Sequence, residues 1–218
     1  MEPERRSAET RDKILAVAER EFAARGFDGA HLQCIASQVG VQKTALYYYF
    51  TSKSALYGAV LVRMLEAFDT RVREALEAAD TPAGRMARLL DGINDLVAER
   101  PYYAKVLIRL FVDPPPVDAA QVIPLVERLV GRILRFYREG VDAGAFVDQS
   151  ARHTFQSVVG AIVFHYASGR FGAAVLGVED LFGARTVAWR REEARRLLLR
   201  ATLRAHLGPA ADGAERPE

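Results

Sequence analysis

Residues 32–53, LQCIASQVGVQKTALYYYFTSK, constrain this chain more than any other stretch. Ile35, Ala36 and Val39 share one face of a helix at spacings of one, three and four. Gly40 follows, where the chain must turn and glycine tolerates positive φ. Leu46 and Phe50 fall four apart and share a face of a second helix. The small Ala36 lets the second helix cross close to the first. Two helices meeting steeply across a short turn that contains glycine make a helix-turn-helix.

With Leu46 and Phe50 turned inward, Thr44, Ala45 and Tyr48 turn outward, and Gln42 and Lys43 stand at the N-terminal end. When such a pair reads DNA, the second helix enters the major groove and its first residues touch base edges. Gln reads adenine bidentately, and Lys donates to guanine O6 and N7. Tyr47, Tyr48 and Tyr49 offer hydroxyls to phosphate oxygens, and Lys53 adds a cation. Phosphate contacts fix register, while base contacts specify sequence. Charge agrees: Gly29 to Leu65 holds no Asp or Glu but does hold Lys43, Lys53 and Arg63, a local +3 in a chain of net +2. A surface cleared of carboxylates suits an anionic backbone. The bland alternative is an ordinary helical hairpin with a chance gap in acids.

The segment IASQVGVQKTALYYYFTSKSAL resembles the DNA-binding signature of the tetracycline-repressor (TetR) family. Ile35, Ala36, Gly40, Val41, Leu46, Tyr47, Phe50, Ser52, Lys53 and Leu56 fall on matching positions, and the likeness covers about 50 N-terminal residues. The resemblance implies an all-α, dimeric transcription regulator with a variable C-terminal ligand-binding domain. There are departures. Ala30 and His31 stand where the family has a Ser/Thr pair, which removes the usual helix cap. Tyr49 replaces a common His, and Thr44 with Ala45 replace Gly/Pro-Thr. The expected DNA-facing set is His31, Gln42, Lys43, Thr44, Ala45, Tyr47, Tyr48, Tyr49 and Lys53. Expected domains are 1–53 for DNA binding, 54–207 for ligand binding and dimerisation, and a disordered tail at 208–218.

Half of the 218 residues are apolar and 27% are charged, a globular balance with core enough for one large or two small domains. Net charge near zero excludes a polybasic protein, so any nucleic-acid contact must be local. The single cysteine, Cys34, permits no internal disulfide and fits a reducing compartment. The N-terminus lacks the pattern of a secretory leader, and the longest apolar run, Val158–Phe164, is far too short to span a bilayer. A cytoplasmic location is expected. No G-x-S-x-G, P-loop, G-x-G-x-x-G or H-E-x-x-H occurs, and no enzymatic activity, metal or cofactor is expected. His153 and His165 stand about 18 Å apart along one helix, too far to share a metal.

The remaining chain reads as helix after helix, with no strand-like alternation. Met1–Arg6 reads as a polar arm; a first helix then runs to Arg25 and stops at Gly26. Ser52 caps a long fourth helix to about Ala79. Thr81 caps a fifth, with Pro82 at its first position. Pro101 opens a sixth, ended by Asp113-Pro114-Pro115-Pro116. A seventh spans about 119–143, an eighth continues from Asp148 or Ser150 to Ser168, and a last one covers about 185–207. The four glycines of 169–183 leave that segment open.

The body is larger than a dimerisation device needs, and bundles form ligand sites between facing helices. The expected pocket residues are Phe68, Tyr102, Tyr103, Phe111, Phe155 and Phe164, with His165 and Tyr166 as polar handles, for a small apolar effector that releases the protein from operator DNA. The resemblance implies a homodimer through the eighth and last helices. Val159, Gly160, Ile162 and Val163 on one, and Leu197, Ala201 and Ala205 on the other, are its candidate surfaces. Two other classes stay open: a helical small-molecule or lipid-binding protein without DNA binding, and an all-α enzyme.

Overall fold

The computed structural model describes residues 2–78 and 81–204, and among these every regular element is a helix. The helices are α1 (Glu2–Gly29), α2 (Leu32–Val39), α3 (Lys43–Tyr49), α4 (Lys53–Glu77), α5 (Pro82–Glu99), α6 (Tyr103–Val112), α7 (Ala119–Asp142), α8 (Ala151–Ala167), α9 (Gly169–Leu176) and α10 (Ala184–Thr202). A lone antiparallel bridge joins Phe146 to Leu203.

The caps follow local chemistry. Ser52 Oγ accepts from Ala55 N–H and Thr81 Oγ1 from Gly84 N–H, each at 3.0 Å, satisfying donors that a helix start leaves unpaired. Ser150, not Asp148, caps α8, accepting from His153 N–H. Pro124 sits inside α7. Gly26 breaks α1 at φ 73°, and Phe27 beyond it turns back onto Phe22 and Tyr57.

Three expectations change here. The polar arm is helical from Glu2, since Arg5–Glu9 and Thr10–Arg6 contacts extend α1 backward. The open segment 169–183 contains α9, which ends at Gly177 in the left-handed conformation. The last helix ends at Thr202 because Phe146 and Ala145 pair with the strand-like turn at Leu203 and Arg204. The expected ends at Ala79 and Leu207, Ala205 and the tail at 208–218 lie outside the described residues.

One continuous core runs from Ile14 to Leu203. The α1 stripe Ile14, Ala18 and Phe22 meets Ile35, Ala36 and Leu46 below it, and Leu56, Tyr57, Val60 and Leu61 of α4 beside it. Helix α4 continues into the body, where it packs on α5 and α7; α5 in turn packs on α10, and α6 on α8. Ion pairs link these layers: Arg71–Glu99 at 2.7 Å, Arg132–Asp69 at 3.3 Å, Arg191–Asp95 at 2.7 Å and Arg195–Asp91 at 3.1 Å.

Candidate nucleic-acid interface and ligand cavity

The turn between α2 and α3 is built as the sequence implies. Gly40 adopts φ 81°, and its N–H reaches Ser37 O at 3.2 Å while Val41 N–H reaches Ala36 O at 3.0 Å. Ile35, Ala36 and Leu46 are essentially sealed from solvent. A polar clamp seats α2 on α1: Gln38 Nε2 donates to Glu21 Oε1 at 2.8 Å, Gln38 Oε1 accepts from Arg20, and Arg25 pairs with Glu21 at 3.1 Å. The placement of α3 therefore rests on burial and on a charge-assisted contact.

The outer face of α3 presents Gln42, Lys43, Thr44, Tyr47 and Tyr48 to solvent, with Tyr48 81% exposed. Gln42 is the N-cap residue but its side chain makes no capping bond, nor does that of exposed His31 ahead of α2. Two expected outward residues are half-buried. Ala45 sits low on the helix, and Tyr49 packs against the core with its ring edge-to-face on Tyr48, 5.1 Å between centroids. A helical turn this close to Leu46 and Phe50 cannot expose every position. Lys53 is also half-buried. Its Nζ donates to Asp28 O at 3.0 Å and lies 4.8 Å from the Phe27 ring centroid. Arg63 faces α1 rather than this surface, reaching Asp12 O at 3.5 Å.

The body holds a cavity of about 230 Å³ between α4, α5, α6, α7 and α8. Phe68, Phe111 and Phe155 are on its wall. The other five expected pocket residues are elsewhere. Tyr103 is buried against Phe68 at 5.9 Å behind the wall, and Tyr102 lies at the start of α6. Phe164 points away and is 64% exposed. Tyr166 is fully buried and donates to Asn94 Oδ1 at 3.0 Å, and burial pushes its hydroxyl up to about 12. His165 faces the α10 side, where burial and then Arg190 pull it down to about 4. Helix α8 is apolar on both sides, so spacing alone does not say which side meets the cavity. Aliphatic wall residues, among them Met86, Leu89, Leu90, Ile93 and Ile133, carried no distinguishing signal beside ordinary core.

The same ambiguity reverses part of the expected dimer surface. Val159, Ile162 and Val163 face the cavity, and of that group Gly160 alone is exposed. Phe164, Trp189 and Leu197, at 64%, 49% and 60% exposure, are the large outward apolar residues of α8 and α10. Phe171 and Val175 of α9 add 72% and 69%.

An exposed helix carrying Gln, Lys and Thr at its start, seated by a glycine turn, defines a helix-turn-helix head. Residues 14–60 match the model of the bacterial regulatory proteins of the tetR family. The HTH-type transcriptional activator FasR of Mycolicibacterium smegmatis is 33% identical over 115 residues, 52% of this chain and 52% of that relative. The matched region therefore spans about half the length of that curated relative. Among solved structures, the ketosteroid transcriptional regulator KstR2 of Mycobacterium tuberculosis superposes with a TM-score of 0.69 at 16% identity, over 89% of this chain and 95% of that one. AibR, solved with isovaleryl coenzyme A and operator DNA, gives 0.68 at 18%, over 87% and 98%. The likenesses to these structures are likenesses of fold. Residues 14–60 of this chain are thus similar to the DNA-binding segment of the tetR family.

Proposed function

We propose that the chain is a ligand-responsive, DNA-binding transcriptional regulator, a repressor that an apolar effector releases from its operator in the cytoplasm. The observation that carries this reading is the exposed start of α3, Gln42-Lys43-Thr44, in a stretch free of carboxylates from Gly29 to Leu65. In this reading Gln42, Lys43, Thr44 and Tyr48 meet bases or adjacent phosphates. His31, Tyr47 and the rims of Ala45 and Tyr49 lie along the backbone, and Lys53 contributes its charge from the first turn of α4. Residues 1–53 act as the DNA-binding head and 54–207 as the body. The likeness to AibR, crystallised with both an acyl thioester and operator DNA, supports a body that answers to a small molecule.

A short recognition helix reads few base pairs, so two heads should be presented about 34–36 Å apart to successive major grooves. The outward Phe164, Trp189 and Leu197 support pairing of α8 and α10 with their twofold copies. A gel shift on the DNA flanking this protein's own coding sequence tests the reading. Retardation that survives excess nonspecific competitor is expected, whereas migration indistinguishable from that with unrelated DNA would leave a small-molecule-binding protein without DNA binding.

A further inference from the structure

The cavity wall has an unusual chemistry for a specificity pocket. Among the described residues it carries no charged side chain, and its hydroxyls belong to Tyr137, Thr154 and Thr202. Each is already spent on a backbone carbonyl: Tyr137 Oη donates to Val147 O at 3.0 Å, Thr154 Oγ1 to Ser150 O at 3.0 Å and Thr202 Oγ1 to Leu198 O at 2.8 Å. With their protons so engaged, none of the three can donate to a ligand, and a carboxylate or carbonyl drawn inside would be desolvated without a donor. Whatever fills this space enters as hydrocarbon.

The cavity opens in one direction. Phe111 and Val126, at 63% and 37% exposure, are the only exposed wall residues among those described. They stand on α6 and α7, which pack on α8 and α4 and scarcely on each other. Size limits the occupant. A dry cavity of about 150 Å³ accommodates the six carbons of benzene, so one of about 230 Å³ accommodates roughly nine.

The geometry points to an amphiphile with one aliphatic tail of roughly nine carbons, its tail among α4, α5, α7 and α8 and its polar head left in the gap between α6 and α7. The inference rests on the regulator reading above and names the ligand class of that same body. The protein selects on tail length and is nearly blind to the head.

The test is calorimetry on the full-length chain with straight-chain carboxylates from hexanoate to dodecanoate and with the matching primary alkanols. Affinity should rise about fourfold for each added methylene and level off near roughly nine carbons. A carboxylate and an alcohol of equal tail should bind within about tenfold of one another. Affinity independent of tail length, or a larger preference between the two heads, would overturn the proposal. Val159→Phe should bring the plateau roughly four carbons shorter and Val159→Ala should lengthen it, the side chain being on the wall. A plateau unmoved in both folded variants would place the tail elsewhere and overturn it too. The same preparations are titrated with the flanking DNA. DNA binding with no tail binding sinks the ligand class and spares the regulator. Tail binding with no DNA binding at any tail length does the reverse.

Discussion

Lys53 shows how one side chain can serve two partners. Its ammonium lies over Phe27 and on Asp28 O, so it ties the end of α1 to the start of α4 before any DNA is present. Lys53→Ala should lower affinity for all sequences and flatten the salt dependence, and should also cost about 0.5–1 kcal/mol of stability through the lost ring contact. Denaturant melts and anisotropy at several salt concentrations check both effects. Lys43, exposed at the start of α3, should lose about 1–3 kcal/mol of discrimination at one base position when changed to Ala, with no change in stability. His165 supplies a pH test. The folded chain keeps it neutral down to about 4, while the unfolded chain takes up a proton near 6.5. Between those values the unfolded state binds more protons, so stability should fall as pH drops from 6.5 toward 4. His165→Gln should remove that part of the slope in urea melts at stepped pH. Tyr166→Phe should leave the buried Asn94 without its donor, at about 1–3 kcal/mol.

At the scale of elements, most boundaries were legible because the punctuation is local. Ser52, Thr81-Pro82, Gly40 and the proline run after Asp113 each act within one turn, and the structure keeps all four. What spacing could not supply was orientation. Helix α8 carries apolar residues on opposite sides, so the cavity side and the outer side exchanged residues between expectation and structure, taking Phe164 outward and Val159 inward. Three of eight expected pocket residues, Phe68, Phe111 and Phe155, reach the cavity, because aromatic residues with polar tips are just as useful in a sealed core. Long-range clasps were equally invisible. Arg109 of α6 donates to Ala23 O at 3.1 Å and Ala24 O at 3.0 Å, the frayed carbonyls beside the Gly26 break. Its neighbours Leu107, Leu110 and Phe111 are on the cavity wall. Arg109→Met should therefore leave ligand affinity near the parent value and weaken the effect of ligand on DNA binding, which a titration of each partner in the presence of the other would reveal. Close approach also has a test: a Cβ at Gly140 would lie 2.1 Å from Phe146, so Gly140→Ala should cost about 1–3 kcal/mol in a thermal or denaturant melt.

Across the whole molecule, one continuous core lies between the exposed α3 helix and the cavity-bearing body with its outward apolar face. A second copy on Phe164, Trp189 and Leu197 would cover the largest exposed apolar side chains of α8 and α10. Leu197→Glu should turn the dimer into a monomer of 24.1 kDa by light scattering, and should weaken operator binding steeply, because one head alone reads too few base pairs. If two exposed α3 helices read one DNA site, titration of a fluorescent duplex from beside the coding sequence reveals it when stoichiometry and salt slope are measured together. Two chains per duplex are predicted, with affinity falling steeply with salt yet remaining well above that for a scrambled duplex. Equal affinity for the two duplexes, or one chain per site at saturation, would contradict it.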